Sequence, residues 1–388
     1  MTAKTIPFHR TSHGDSDVAA VRAVLESGHT GGGGTVGQRV ERELSRILGS
    51  TQALLTTSCT HAMEACLMAL GIGAGHEVIV PGFLYVSLAA AVARQGARPV
   101  FVDIEPTRLG LDPARVAAAI TPRTRAIFAV HYGGMPCRIE ELVALGAVRG
   151  IPVLEDAAQG FGSLSSSGRP VGTLGLAGCM SFHESKNVSC GEGGALFTDD
   201  ATLASAVETI RDKGTNRAAA VRGETPHYTW VSPGSSFTLA EVLAAVLEVQ
   251  LAARDAIARE RARVAARYQA LLEPLAERHG LTLAPHPTAG ERFNHHIVHV
   301  LVPRGVDRDD VSRGMRARGI QVAAHFQTLH DSPFMRATWP SAPAELPVTA
   351  DTCARILRLP IFPALADADV AWIVDALDAE LARARSAR

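Results

Sequence analysis

The sequence predicts an α/β protein with a mostly parallel sheet and flanking helices, followed by a smaller C-terminal α+β domain. Short apolar segments alternate with helical patterns between residues 50 and 200, which is typical of parallel strands joined by crossover helices. These segments are apolar without interruption, as in strands that are covered on both faces. After residue 238 the alternation gives way to a long helical pattern rich in Ala, Leu and Arg.

The first half of the chain supplies seven segments with the pattern of strands. They are residues 53–57, 77–81, 97–103, 125–131, 151–156, 178–183 and 194–199. Helical patterns lie between them at 60–70, 85–94 and 140–149, and a shorter segment begins at Asp112, a residue typical of helix caps. Because crossovers between parallel strands are right-handed, one sheet with helices on both faces accounts for this region.

The second half predicts a smaller unit that follows the long helical pattern of residues 238–273. Its apolar segments are 296–303 and 320–326, its helices are 308–318 and 367–383, and the proline-rich stretch 333–347 predicts a surface loop. We place the domain boundary on the long helix. Residues 1–250 then form the large domain with an N-terminal arm, and residues 251–388 form the small domain.

Charge and composition exclude several classes of protein. The 388 residues carry 38 Lys and Arg against 39 Asp and Glu, so no basic surplus favours nucleic acid or an anionic membrane. The N-terminus lacks the apolar core of a signal peptide, and no uncharged apolar run reaches the length of about 18 residues that a membrane span needs. The six cysteines form no C-x-x-C pair. These features predict a cytoplasmic protein without a disulfide framework or a metal site.

Three polar clusters follow apolar strands, which is where ligands bind in open α/β sheets. The first is Ser58-Cys59-Thr60-His61, between a strand and a helix. The unpaired N–H groups of a helix's first turn, together with the hydroxyl of Ser58 or Thr60, can hold a phosphate. The same residues suit an ordinary N-cap, and the pattern alone leaves both interpretations open.

The second cluster is the acid pair Glu155-Asp156, with Gln159 close behind it. An acid pair at the end of an apolar strand can bind a metal, cap the next element or face a buried cation. The residues alone leave these three interpretations open.

The third cluster surrounds Lys186, in the segment SFHESKN. The chain has only three lysines, Lys4, Lys186 and Lys213, and Lys186 alone lies among polar residues between two apolar strands. It is therefore the candidate for covalent lysine chemistry. Together the clusters offer a phosphate site, a carboxylate and a lysine, which are the three features that bind pyridoxal 5'-phosphate (PLP).

These motifs resemble the DegT/DnrJ/EryC1/StrS family of sugar aminotransferases, which are PLP-dependent enzymes of fold type I. Matching stretches are SCTHAMEACLMALGIGAGHEVIVPGFLYVS, EDAAQGFGS and SFHESKNVSCGEGGALFTDD. The branches of the family are best distinguished by a further stretch, RDKGTNRAAAVRGETPHYTWVSPGSS. It is similar to the branch of dTDP-4-amino-4,6-dideoxygalactose transaminases. The resemblance implies a seven-stranded sheet, and a homodimer in which the neighbouring subunit completes each active site.

The resemblance also implies roles for individual residues. Lys186 matches the lysine that binds the cofactor aldehyde, and a lysine at this position, where related dehydratases carry histidine, favours transamination. Asp156 matches the aspartate that pairs with the pyridinium nitrogen. The other positions implied to bind the cofactor are Cys59, Thr60, Tyr85, Gln159, Ser181 and Ser236, the last in place of an asparagine that reaches the phosphate from the neighbouring subunit. The positions implied near the substrate are Arg217, Arg222, His325 and His330, although a solvated surface also accounts for the two arginines.

The predicted function is transfer of an amino group from L-glutamate to C4 of dTDP-4-keto-6-deoxyhexose, which gives dTDP-4-amino-4,6-dideoxyhexose. One alternative is amination of another ketone, such as a 3-keto sugar nucleotide or an aminocyclitol precursor. An alternative of another class is a non-catalytic protein that binds PLP as a sensor or scaffold. The excess of Arg over Lys indicates a GC-rich genome and favours a role in antibiotic biosynthesis.

Overall fold

A seven-stranded sheet forms the centre of the larger part of the molecule, in a computed structural model that describes residues 4–340 and 345–386. Its strands are β1 (Gln52–Thr56), β2 (Glu77–Pro81), β3 (Arg98–Val102), β4 (Thr124–Val130), β5 (Val153–Asp156), β6 (Ala177–Ser181) and β7 (Gly194–Thr198). They lie in the order β1-β7-β6-β5-β4-β2-β3. Only β7 runs antiparallel to its neighbours, so β1, β6, β5 and β4 all end at the same edge.

Helices cover both faces of this sheet, as the uninterrupted apolar strands predict. The helices of this part of the chain are α1 (Asp15–Ser27), α2 (Thr35–Leu48), α3 (Cys59–Ala69), α4 (Val86–Arg94), α5 (Pro113–Ala119), α6 (Ile139–Arg149), α7 (Ala201–Arg211) and α8 (Arg217–Val221), of which α8 has no buried residue and lies outside the layers. Every residue of β2, β5 and β6 is buried. Because both faces are covered, the polar groups at the strand ends are the part of the sheet that a ligand can reach.

The long helix α9 (Glu241–His279) joins two hydrophobic cores. Leu247 and Leu251 pack in the core beside β1 and β7, whereas Val264 and Tyr268 pack in a second core around a small antiparallel sheet. That sheet contains β8 (Thr282–Leu283), β9 (Val298–Leu301) and β10 (Ile356–Leu359), in the order β10-β9-β8. The remaining helices are α10 (Arg308–Ala317), α11 (Pro333–Thr338), α12 (Pro347–Arg355) and α13 (Asp367–Ser386). The proposed boundary at residue 250 falls within a continuous helix, and it stays a prediction.

Two predictions for the C-terminal part were wrong in detail. The apolar segment 320–326 makes only isolated bridges, from Ile320 to Ile6 and from Ala323 to Arg358, because a short apolar run does not by itself define a strand. The expected loop over 333–347 begins with α11, where the Ser332 hydroxyl accepts the N–H of Met335 and a proline occupies the first turn. Residues 341–344 of that stretch lie outside the described part.

Among the helices of residues 4–340 and 345–386, none is long and apolar enough to cross a membrane.

Candidate active site

A cavity of about 440 Å³ opens at the edge where β1, β6, β5 and β4 end. The large sheet supplies its floor through polar residues that directly follow these strands. The small sheet supplies an opposing wall through β10 and the segment around His325, and the N-terminal arm contributes Phe8 and His9. The topology therefore brings together side chains that are far apart in sequence.

The N-terminus of α3 lies at one side of this cavity. Ser58 is its N-cap: the hydroxyl accepts the N–H of His61 at 3.1 Å, and the carbonyl accepts the N–H of Ala62 at 3.1 Å. Within the described residues no hydrogen bond occupies the N–H groups of Cys59 and Thr60. The N-cap interpretation is therefore confirmed, and the phosphate site stays a prediction, because a capped helix start still has two free donors that could bind an anion.

Ser181 reaches the same place through the register of the sheet. It ends β6 opposite Gly194 of β7, and Gly194 is in turn opposite Thr56 of β1. The Ser181 hydroxyl accepts the N–H of His183 at 3.3 Å and lines the cavity. A hydroxyl and two backbone N–H groups thus converge on one side of the cavity.

Asp156 ends β5 and is only 6% exposed. One of its carboxylate oxygens accepts the N–H of Ala158 at 3.0 Å, and burial raises the pKa of this carboxyl. Gln159 is oriented by Gly133, whose N–H donates to the side-chain oxygen at 2.6 Å. The amide NH2 of Gln159 donates no hydrogen bond within the described residues, so its donors are free for a ligand in the cavity.

Glu155 has a different environment from its neighbour Asp156. Its buried carboxylate accepts the backbone N–H groups of Gly172, Leu174 and Gly175 at 2.7–2.8 Å, and it lies 2.9 Å from Nε2 of His131. These donors hold the pKa of Glu155 below its usual value. The two neighbouring acids therefore have different roles. Glu155 anchors the surrounding backbone, and Asp156 faces the cavity.

Lys186 lies in the loop between β6 and β7, where its N–H donates to the carbonyl of His183 at 2.9 Å. Burial lowers the pKa of its amine, and the negative charge of Asp156 acts in the opposite direction. The two side chains line the same cavity but form no direct ion pair. The half-buried Lys186 and the buried carboxylate of Asp156 thus face one cavity without direct contact between their charged groups.

The wall formed by the small sheet is basic. Arg358 of β10 donates to Nε2 of His325, and Nδ1 of His325 lies 3.1 Å from the hydroxyl of Tyr132. Burial and the charge of Arg358 lower the pKa of His325 to about 2, so this imidazole is neutral. His296 also lines the cavity, and its Nδ1 lies 3.0 Å from the Oδ1 of Asn187, next to Lys186.

Most residues implied to bind the cofactor do line this cavity. They are Cys59, Thr60, Tyr85, Asp156, Gln159, Ser181 and Lys186, and His325 of the implied substrate residues joins them. The structure does not bring Ser236, Arg217, Arg222 or His330 into it. Arg222 instead forms ion pairs with Glu208 and Glu224 on the surface, and Arg217 lines a separate shallow pocket with Lys213 and Tyr228.

Sequence reasoning missed several residues of the cavity wall, among them Arg358, Arg261, His296 and His9. A signal existed for Arg358, because it is a single cation inside the otherwise apolar strand ILRL. A charge at such a position is either paired or functional. His296 and His9 lie in segments that gave no comparable signal.

Comparison with known proteins gives consistent matches. Residues 11–378 match the model of the DegT/DnrJ/EryC1/StrS aminotransferase family. The aminotransferase TlmJ from Streptoalloteichus hindustanus is 30% identical, with 97% of this chain and 99% of that chain covered and a TM-score of 0.89. DesV of S. venezuelae, solved in complex with a ketimine intermediate, is 33% identical, with 94% of each chain covered and a TM-score of 0.84. A putative sugar aminotransferase from Streptococcus pneumoniae in its PMP form is 22% identical, with 99% of each chain covered and a TM-score of 0.90, and it shows the likeness of fold.

Proposed function

Because the chain belongs to the DegT/DnrJ/EryC1/StrS aminotransferase family, we propose that it transfers an amino group from L-glutamate to C4 of dTDP-4-keto-6-deoxyhexose. Membership confirms the predicted fold class, the sugar aminotransferase activity and the dependence on PLP. The identity of the sugar, the donor and the residues of the site are the proposed part.

One observation carries the site assignment: the half-buried Lys186 and the buried carboxylate of Asp156 line one cavity beside free N–H donors. The chemistry of these groups fits PLP. Cys59, Thr60 and Ser181 would hold its phosphate, Asp156 its ring nitrogen and Lys186 its aldehyde carbon. Gln159 would donate its amide N–H to the ring hydroxyl, and Tyr85 would lie against the ring.

When bound, the cofactor supplies an electron sink for the carbanion that forms at the donor's α-carbon. Lys186 would move the proton between the donor's α-carbon and the cofactor carbon that receives it. Its amine must be neutral to accept a proton, and burial favours the neutral form by lowering the pKa. Asp156 must be ionised to hold a proton on the ring nitrogen, and the positive ring would offset the burial that raises the pKa of this carboxyl.

The choice of a dTDP-4-keto sugar rests on the stretch from Arg211 to Ser236, which resembles the corresponding branch of the family. In one copy of the chain, Ser236 and Arg217 lie away from the cavity. We therefore also propose a homodimer in which the second copy brings this stretch to the site. Exposed apolar side chains support a partner there: Val221, Tyr228, Trp230 and Val231 are 54–79% exposed.

The test is amination of purified nucleotide sugars with L-glutamate as the donor. We expect dTDP-4-keto-6-deoxyglucose to be converted to the 4-amino product, detected by mass spectrometry. Conversion of a 3-keto nucleotide sugar or a cyclitol ketone instead would overturn the substrate assignment.

Borohydride reduction followed by peptide mapping should place the cofactor on Lys186. The variant Lys186→Ala should fold but lose at least about a thousandfold in turnover. Appreciable transamination by that variant would refute the role of Lys186.

A further inference from the structure

The imidazole of His296 lines the cavity from the segment that precedes β9, and the residue is 6% exposed. Its backbone is held on both sides. The N–H donates to the Oδ1 of Asn294 at 3.0 Å, and the carbonyl accepts a guanidinium N–H of Arg261 at 2.8 Å. Asn294 is itself fixed, because its amide donates to the carbonyls of Gln159 at 2.7 Å and Phe161 at 2.9 Å. His296 therefore has a defined position in the cavity wall.

A chain of hydrogen bonds decides which ring nitrogen of His296 carries the proton. The amide NH2 of Asn187 donates to the backbone carbonyl of Asn294 at 2.9 Å, and a carbonyl can only accept. The Oδ1 of Asn187 therefore faces Nδ1 of His296, which lies 3.0 Å away, and this oxygen too can only accept. Nδ1 must then carry the proton, and Nε2 carries a lone pair. Burial and the charge of Lys186 lower the pKa of His296, which keeps the ring neutral.

Nε2 of His296 is an acceptor without a partner, because no hydrogen bond within the described residues occupies it. Other unpaired groups of the cavity are donors, among them the N–H groups of Cys59 and Thr60 and the amide NH2 of Gln159. His296 thus supplies a neutral acceptor, which suits an uncharged O–H group of a ligand. The imidazole lies close to the reacting amine, since the charge of Lys186 contributes to its lowered pKa.

We propose that Nε2 of His296 accepts a hydrogen bond from the C3 hydroxyl of the keto sugar, an inference that rests on the proposed amination at C4. Apart from the amine that is transferred, few groups next to the reacting carbons carry a proton for a neutral acceptor. The α-carbon of the amino-acid donor bears a carboxylate, which only accepts, and a methylene, which does neither. On the sugar, C5 bears the ring oxygen and a methyl group, whereas C3 bears a hydroxyl. The C3 hydroxyl is therefore the group that fits this acceptor.

The test compares the wild-type holoenzyme with His296→Asn and His296→Gln. Asparagine keeps an N–H donor near the position of Nδ1, so it preserves the bond to Asn187 and removes only the acceptor. Glutamine returns an amide oxygen near the position of Nε2. The substrates are dTDP-4-keto-6-deoxyglucose and its 3-deoxy analogue, with L-glutamate as the donor.

We expect the wild type to prefer the hydroxylated sugar by about 10- to 100-fold in kcat/KM, because its acceptor is left unpaired by the analogue. His296→Asn should reduce this preference to less than about threefold, through a loss with the hydroxylated sugar alone, and His296→Gln should recover part of it. His286→Gln is the matched control. This exposed histidine, which is ion-paired to Glu273 in the same unit, should leave the preference unchanged when it is replaced.

Two further measurements separate a substrate contact from a structural role. Stopped-flow absorbance of the cofactor with L-glutamate should stay within about twofold of wild type in both variants, because the amino-acid half of the reaction does not involve the C3 hydroxyl. Nitrogen-15 NMR of histidine-labelled protein does not depend on activity. The signals of His296, identified by their absence from His296→Asn, should show the proton on Nδ1.

Each other outcome overturns the inference. An unchanged sugar preference in His296→Asn, with the wild type active on dTDP-4-keto-6-deoxyglucose, would do so and leave the proposed function intact. A loss confined to the reaction with L-glutamate would assign His296 to the amino-acid donor, and a proton on Nε2 would remove the acceptor itself. If the wild type reacts with L-glutamate but aminates neither sugar, the proposed sugar assignment fails and the inference fails with it.

Discussion

A Cβ atom on Gly194 would lie 2.3 Å from the backbone nitrogen of Cys59 and 2.3 Å from the carbonyl carbon of Ser58. Gly194 begins β7, which lies between β1 and β6. Because Gly194 has no side chain, β7 can start directly against the first turn of α3. This close approach places the free N–H groups of Cys59 and Thr60 beside Ser181 of the neighbouring strand.

Substitution Gly194→Ala should therefore damage both the fold and the proposed phosphate site. The new methyl group meets backbone rather than a movable side chain, and we expect a loss of about 1–3 kcal/mol in the free energy of unfolding together with weaker cofactor binding. Urea denaturation and cofactor titration measure the two effects. Gly73→Ala is the control, because its Cβ would meet the nearest backbone oxygen at an ordinary 3.5 Å. Unchanged cofactor binding by Gly194→Ala would contradict the proposed position of the phosphate.

Asp156→Asn should stabilise the cofactor-free protein in a pH-dependent way. Burial raises the folded-state pKa of Asp156 above the unfolded value of 3.8, so the folded state binds more protons between these two values. The contribution of Asp156 to the free energy of unfolding therefore falls as the pH rises from the unfolded-state pKa to the folded-state pKa. The fall is about 1.4 kcal/mol for each pH unit between these two values. Asparagine does not titrate and can still accept the N–H of Ala158. The advantage of the variant should be absent near pH 3.8, grow as pH rises and level off above the folded-state pKa.

The same variant should bind PLP less tightly, by about tenfold or more, because a charged hydrogen bond to the ring nitrogen is lost. Denaturation of both cofactor-free proteins between about pH 4 and pH 8, with cofactor titration at neutral pH, tests both statements. An equal stability difference at every pH would show that burial of the Asp156 charge is not the cause. Tighter PLP binding by the variant would rule out its proposed place at the ring nitrogen.

Glu155→Gln should be strongly destabilising although the two side chains have nearly the same shape. Three backbone N–H groups and His131 all point at the carboxylate, whereas a glutamine offers one oxygen and turns an NH2 group toward other donors. We expect a loss of about 3–5 kcal/mol in the free energy of unfolding. Glu141→Gln, which breaks an exposed ion pair to Arg138, should change it by less than about 1 kcal/mol. Equal effects of the two substitutions in urea denaturation would contradict the anchoring role of Glu155.

Trp230→Asp should convert the proposed homodimer to monomers, because it places a charge on an apolar side chain that is 74% exposed in one copy. Sedimentation velocity measures the mass, and loss of activity should accompany dissociation. Val148→Asp is the control: this valine is 83% exposed on α6, and the substitution should leave the mass unchanged. A wild-type protein that sediments as a monomer, or a Trp230→Asp variant that stays dimeric, would contradict the proposed interface.

Most of the large sheet was predictable because each strand carries a continuous apolar run between turn residues. All seven predicted segments overlap β1 to β7, and the predicted bounds of β2 are the observed ones. The small sheet was harder: β10 has only four residues, and the segment 320–326 has an apolar pattern without a full ladder of partners. Short apolar runs do not distinguish a paired strand from a single bridge.

The sequence by itself determined the fold class, the family and the candidate lysine and aspartate, because these depend on local patterns: apolar runs, cap residues and short motifs. Only the tertiary structure decided which polar groups share a cavity. It separated Glu155 from Asp156, left Ser236 and Arg222 outside, and added Arg358 from the small sheet. The physical reason is that a shared cavity depends on packing between segments far apart in the chain, and no local period encodes that packing.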